Sequence, residues 1–127
     1  MRSDLLVNFF VKTLVQKKEL VLFEPEFKRN MIHIRDVANA FVHAIDKGLE
    51  GVYNVGDDSL NSTKGELAQK VADIVGGKVT VSTEGEDPDK RNYNVSSAKF
   101  YNTGYNIETE FDKRVLELAN YYSYEEL

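Results

Sequence analysis

The sequence predicts an α/β fold, or an α+β one, in which short strands alternate with helices within a single domain spanning residues 1–127. Two observations carry this. Apolar residues recur at helical spacing in several separated stretches. Between them lie short apolar runs bounded by Pro, Gly or polar residues, the mark of short strands. A third observation limits the architecture: no long central sheet is legible, and no Pro/Gly-rich linker divides the chain.

Taken in order, Ser3 is placed to cap a helix running to about Lys17. Its apolar residues (Leu5, Leu6, Val7, Phe9, Phe10, Val11, Leu14, Val15) cover more than one stripe, so it is either sandwiched or part of an interface. Glu19 to Phe23 is apolar and closed by Pro25, which suits a strand, and Glu24 to Asn30 is a charged loop. Met31 to Ile34 reads as a second strand. A helix starts at Arg35 or Asp36, with Asp36 as its cap, and presents Val37, Phe41, Ala44 and Ile45 on one face before Gly48 stops it. Gly51 to Val55 reads as a buried strand and Asp57 to Ser62 as a polar loop. Thr63 and Glu66 form a capping box for a helix with Leu67, Val71, Ile74 and Val75 on one side, ending at Gly76-Gly77. Val79 to Ser82 is a strand, and Glu84 to Asn92 a charged loop. Val95-Ser96 is extended, Ser97 to Tyr101 make a short helix ended near Gly104, and Phe111, Val115, Leu118 and Tyr122 mark a last amphipathic helix.

Composition excludes several classes. The chain has no cysteine, so disulfides and thiolate metal sites are ruled out, and a cytoplasmic location is expected. Its net charge of −5 argues against nucleic acid as a partner, since Lys17-Lys18 and Lys28-Arg29 are local clusters and make no basic face. No run is long and apolar enough to cross a membrane, and Asp4 and Asn8 interrupt the apolar start where a signal peptide would need continuity.

The catalytic inventory is sparse. Gly-x-Gly-x-x-Gly, whose glycines let backbone amides approach a pyrophosphate, does not occur, and Gly76-Gly77 stands at a helix end. No Tyr is followed four residues later by Lys, so a phenol acidified by a neighbouring ammonium is missing. No catalytic residue and no metal ligand is assigned. His33 and His43 lack metal-pair spacing; packing is favoured for His33 and a solvated face for His43. Glu84, Glu86, Asp87 and Asp89 lack the pattern of a calcium loop and read as solvated acid groups. Arg29 and Arg91 each stand in a loop beside a short strand, where a guanidinium fork can clamp a diphosphate; taken alone, each is first a surface charge. Phe23 ends its strand where it can stack on a base, or belongs to the core.

Several segments resemble one family. Residues 1–8, Leu20-Val21-Leu22-Phe23, the run from Lys28 to Val37, Gly51-Val52-Tyr53-Asn54-Val55-Gly56, and Asp87 to Tyr93 with Ser97-Ala98-Lys99 and Gly104-Tyr105 stand in the order and spacing of the NAD-dependent epimerase/dehydratase family. This is the nucleotide-sugar branch of the extended short-chain dehydrogenases/reductases. The resemblance covers nearly the whole chain and matches the part of those enzymes that lies beyond their catalytic Tyr and Lys. It implies the carboxyl-terminal, substrate-binding lobe without its Rossmann dinucleotide domain.

By this resemblance Val21 and Phe23 fall where base or ribose is contacted, Arg29 on the diphosphate-binding arginine, and Tyr93 near the sugar. Glu86 replaces the arginine that many relatives carry at the start of the late loop, and Arg91 is the candidate to supply that charge. Asp4 stands where relatives place a substrate-touching Asn. The implied partner is a nucleotide-diphosphate sugar, with no nucleic acid and no membrane. NAD(P) is the cofactor of full-length relatives, and none is expected on this chain. The function implied is nucleotide-sugar binding without oxidoreductase activity. The alternative is a non-enzymatic module forming a homodimer through the apolar first helix and the Tyr53–Val55 strand, a face otherwise covered by the dinucleotide domain.

Overall fold

The structure, a computed structural model, describes residues 2–125; Met1, where the first matching segment begins, lies outside the described residues. The elements are α1 (Leu6–Lys17), β1 (Glu19–Leu22), β2 (Lys28–Arg29), α2 (Ile34–Asp46), a 3-10 turn (Asp58–Leu60), β3 (Ser62–Thr63), α3 (Lys64–Val75), β4 (Lys78–Val81), α4 (Ala98–Tyr101) and α5 (Phe111–Tyr124). They form two compact units, each assembled from separated segments: residues 1–27, 63–90 and 110–127, and residues 28–62 and 91–109. The crossings, at 27–28, 62–63, 90–91 and 109–110, are single peptide bonds, and no Pro/Gly-rich linker marks them.

The first unit is a helical layer on a small parallel sheet. β1 and β4 run parallel, with Glu19 opposite Lys78 and Leu22 opposite Val81. A parallel pair needs a long crossover, and here it ends through α3. β1 alternates, turning Leu20 and Leu22 inward and Glu19 and Val21 outward. α1 buries Phe10, Val11 and Leu14, packed with Leu67, Ala68 and Val71 of α3 and Val115 and Tyr122 of α5. α1 is therefore covered along the side of Phe10, Val11 and Leu14, while Phe9 of the same apolar surface stays 44% exposed. Its start differs from expectation. Leu5 is the N-cap, with no side-chain hydrogen bond, and Ser3 does not cap. α3 carries the expected capping box: the Thr63 hydroxyl accepts from the Glu66 N–H, and the Glu66 carboxylate accepts from the Thr63 N–H. Gly77 comes next at φ +97°, where a Cβ would stand 2.9 Å from the Lys18 carbonyl oxygen, so only glycine fits this close return of the chain.

The second unit centres on Ala40, Phe100 and Tyr105, flanked by Ala44, Tyr53, Val55 and Ile107. Met31 to Ile34 is not a strand. Residues 30–33 are irregular, and α2 begins at Ile34. Its cap is His33, whose Nδ1 accepts from the Arg35 N–H at 3.1 Å. Asp36 lies inside the first turn and is buried. Its carboxylate accepts from the Glu108 N–H at 2.9 Å and from the Thr109 hydroxyl, and its carbonyl accepts from the Tyr105 hydroxyl at 2.7 Å. That anchorage turns α2 around. Asp36 and Ala40 face inward, while Phe41 and Ile45, read as part of one apolar face, are exposed, Ile45 to 77%, as is Val42. Gly51 to Val55 is also not a strand: among the described residues no strand pairs with it, and Val52 is 85% exposed. His43 is half-buried, bonded through Nε2 to the Thr103 hydroxyl at 2.8 Å and edge-on to Phe100 and Tyr105, not on a solvated face. No described helix is long and apolar enough to cross a membrane.

Candidate functional site

In the first unit, the strand alternation of β1 sends Val21 outward, and Phe23 stands at the strand end before a turn at Glu24 (φ +48°). Both border a cavity of about 320 Å³, walled also by Leu6 and Phe9 of α1, Lys64 of α3, and Glu86, Asp87 and Pro88 of the loop after β4. That volume is at the lower end for small-ligand sites, and a mostly apolar lining with a few polar groups is their usual make-up. A second cleft of about 250 Å³ along α1 includes Asp4 and touches neither Val21 nor Phe23.

The acidic loop on the cavity wall is not simply solvated. Lys64 Nζ pairs closely with the Asp87 carboxylate, and the Asp87 N–H donates to Glu24 Oε2 at 3.0 Å. Lys90 bridges Glu24 at 2.6 Å and Glu86 at 3.4 Å. Burial pushes the Asp87 carboxyl up, but Lys64 and the Asp89 N–H outweigh it and hold Asp87 below the usual carboxylate range. Glu24 is held low by Lys90 first and then by the Asp87 N–H, and Lys90 is raised by Glu24.

In the second unit the structure brings Arg29, Arg91 and Tyr93 together. Arg29 belongs to β2 and is only 5% exposed, so it is not the surface charge its sequence position alone suggested. Its Nη1 donates to the Lys28 carbonyl at 2.9 Å and, in a close contact, to the Arg91 carbonyl. Its guanidinium carbon is 5.9 Å from the Tyr93 ring centroid, within cation–π range. The Tyr93 N–H donates to the Lys28 carbonyl at 3.3 Å, and Asn92 Oδ1 accepts from the Lys28 N–H at 2.9 Å. The 91–93 segment is thereby laid along β2, and the Arg91 side chain is exposed. Val21 and Phe23, on the cavity, belong to the other unit.

Among the described residues no group of three or more His, Cys, Asp or Glu is placed to hold a metal. Gly76 and Gly77, at φ +83° and +97°, close the end of α3 instead of opening a helix after a strand. Sequence reasoning gave Lys64 no role and read Asp36 only as a helix cap, not as the buried acceptor it is. Lys64 had a signal: a cation at the first position of a capped helix opposes the helix dipole and calls for a compensating partner.

No protein-family model matches the chain. Solved structures do. RMD of Pseudomonas aeruginosa, complexed with NADPH, superposes with a TM-score of 0.78 at 16% identity, over 98% of this chain and 44% of its own. dTDP-glucose 4,6-dehydratase of Bacillus anthracis, in complex with NAD, gives 0.76 at 23% identity, over 99% of this chain and 41% of its own. UDP-glucose 4-epimerase of Thermotoga maritima, with UDP-glucose, gives 0.77 at 19% identity, over 95% and 40%. The chain spans well under half the length of each, and almost all of it is used in the match. The chain thus has the fold of one portion of the extended short-chain dehydrogenases, as built in their NAD-dependent epimerases and dehydratases.

Proposed function

We propose that the chain is the nucleotide-sugar-binding, carboxyl-terminal portion of an NAD(P)-dependent sugar epimerase, dehydratase or reductase. The observation that carries this is the cavity of about 320 Å³ bordered by Val21 and Phe23, the residues that the family resemblance assigns to the nucleoside. In this reading Phe23 supplies an aromatic face for the base, and Val21 an apolar contact. The diphosphate role of Arg29 and Arg91 and the sugar role of Tyr93, all residues of the second unit, rest on the family resemblance alone. The fold likeness supports it, since one of the matching enzymes was solved with UDP-glucose.

The chain's part is then to bind and orient. Hydride and proton transfer belong to residues it lacks: the sequence has neither the glycine-rich cofactor turn nor a Tyr-x-x-x-Lys pair. Positioning is worth about 7 kcal/mol or more at best, but only with a reacting group to position. The purified chain, given NAD and UDP-glucose, is expected to yield no NADH and no epimer; either product overturns this half of the proposal. Calorimetric titration with UDP tests the other half. Binding that weakens in Phe23→Ala and Arg29→Ala is expected, and no binding by the unaltered chain contradicts it.

A second reading has its own observation. The outward face of α2 carries Ile34, Phe41, Val42 and Ile45, all exposed. Contiguous apolar faces of this kind mark interaction surfaces. A self-associating module would use this face.

A further inference from the structure

Lys64 is 3% exposed and stands first in α3. Both facts count against a lysine there. Burial strips the ammonium of water, and the helix N-terminus repels a cation. It is held by partners from two separate segments. Its Nζ donates to the Phe23 carbonyl at 2.9 Å and pairs with the Asp87 carboxylate, and it lies 5.6 Å from the Phe27 ring centroid. One ammonium therefore joins the end of β1 to the loop after β4, and these are two walls of the same cavity. Gly85 completes the junction. At φ +138°, a Cβ there would stand 2.7 Å from Cε1 of Phe23, so the loop backbone lies directly against the ring.

We propose that Lys64 is a positioning residue for the cavity. It fixes Phe23 and the Glu84–Lys90 loop at the separation a nucleoside needs, and loss of its pair with Asp87 frees both walls together. This rests on the nucleotide reading for its purpose, but not for its mechanics. A lysine needed only to hold the fold would affect overall stability; a positioning lysine affects ligand affinity and the two wall segments while the rest of the unit stays protected.

The test compares the unaltered chain with Asp87→Asn and Lys64→Met by amide hydrogen exchange and by UDP titration. Asp87→Asn keeps the shape of the side chain and, with Asp87 on a half-exposed loop, is the variant least able to unfold the unit. The expected result is exchange at Gly85 to Asp89 and at Phe23 and Glu24 faster by about tenfold or more, with α5 amides unchanged. UDP affinity is expected to fall by about fivefold or more. Unchanged exchange at the loop overturns the proposal, as does a freed loop that leaves UDP affinity intact. If the unaltered chain binds no UDP, the nucleotide reading fails alone. Lys64→Met then decides the mechanics: joint release of both walls upholds the coupling, and release of the loop with Phe23 and Glu24 still protected overturns it.

Discussion

Replacing Asp36 with Ala should destabilise the second unit by about 3 kcal/mol. Asp36 is 1% exposed, and its carboxylate accepts from the Glu108 N–H and the Thr109 hydroxyl. Hydrogen bonds to a charged group are worth roughly 1.5–3 kcal/mol each. Glu108 is exposed and Thr109 half-buried, so water can re-satisfy both donors in the variant, which favours the low end, about 3 kcal/mol for the pair. The negative charge in the first turn of α2 adds about 0.5 kcal/mol through the helix dipole. Alanine's better helix propensity returns about the same amount. Two conservative controls divide the sum: Thr109→Val should cost about 1–1.5 kcal/mol, and Tyr105→Phe, which removes the bond to the Asp36 carbonyl, about 1 kcal/mol. Urea unfolding followed by circular dichroism reads all three. A loss below about 1 kcal/mol for Asp36→Ala would refute the assignment of Asp36 as the anchor of α2.

The same geometry leads to three further outcomes. The Tyr105 hydroxyl is pushed up to about 12 by burial first and by the Asp36 charge second. Between about 10 and about 12 the folded chain keeps a proton that the unfolded chain has lost, so stability falls as pH rises through that window. Urea midpoints at either end should show this, and Tyr105→Phe should remove most of it, with Tyr101, raised in the same direction by burial, leaving a remainder. At the acid end, Asp87 sits below its ordinary range. Its contribution is complete above that range and is lost as pH falls through the lowered value, which exchange at the Glu84–Lys90 loop should report. If α2 mediates self-association, Phe41→Asp with Ile45→Asp should turn a dimer into a monomer by light scattering, whereas Phe9→Asp on α1 should not.

Local chemistry was legible in the sequence wherever the partner lies close along the chain. The Thr63–Glu66 capping box closes within one turn, and β1 and β4 are bounded by residues that break strands. What failed needed a distant or absent partner. Met31 to Ile34 and Gly51 to Val55 have strand composition, but an apolar run becomes a strand only when another strand bonds to it, and among the described residues none does. Helical periodicity found α2 but not which side is inward. That was decided by the contacts of Asp36 with Tyr105, Glu108 and Thr109, far along the chain. The candidate site divides in the same way. Phe23 was read from a strand end and Arg29 and Arg91 from their loops, while Val21 and Tyr93 came from the family resemblance alone. Lys64 escaped because its partner Asp87 was read as one of several solvated acids.

The most direct test of the account is the response of backbone amides to UDP, followed by NMR on the chain labelled with nitrogen-15. Nucleotide binding predicts saturable shifts at Val21, Phe23 and Gly85 around the cavity, with little change along the exposed face of α2. Shifts confined to α2, or none at these three residues at millimolar UDP, would contradict it.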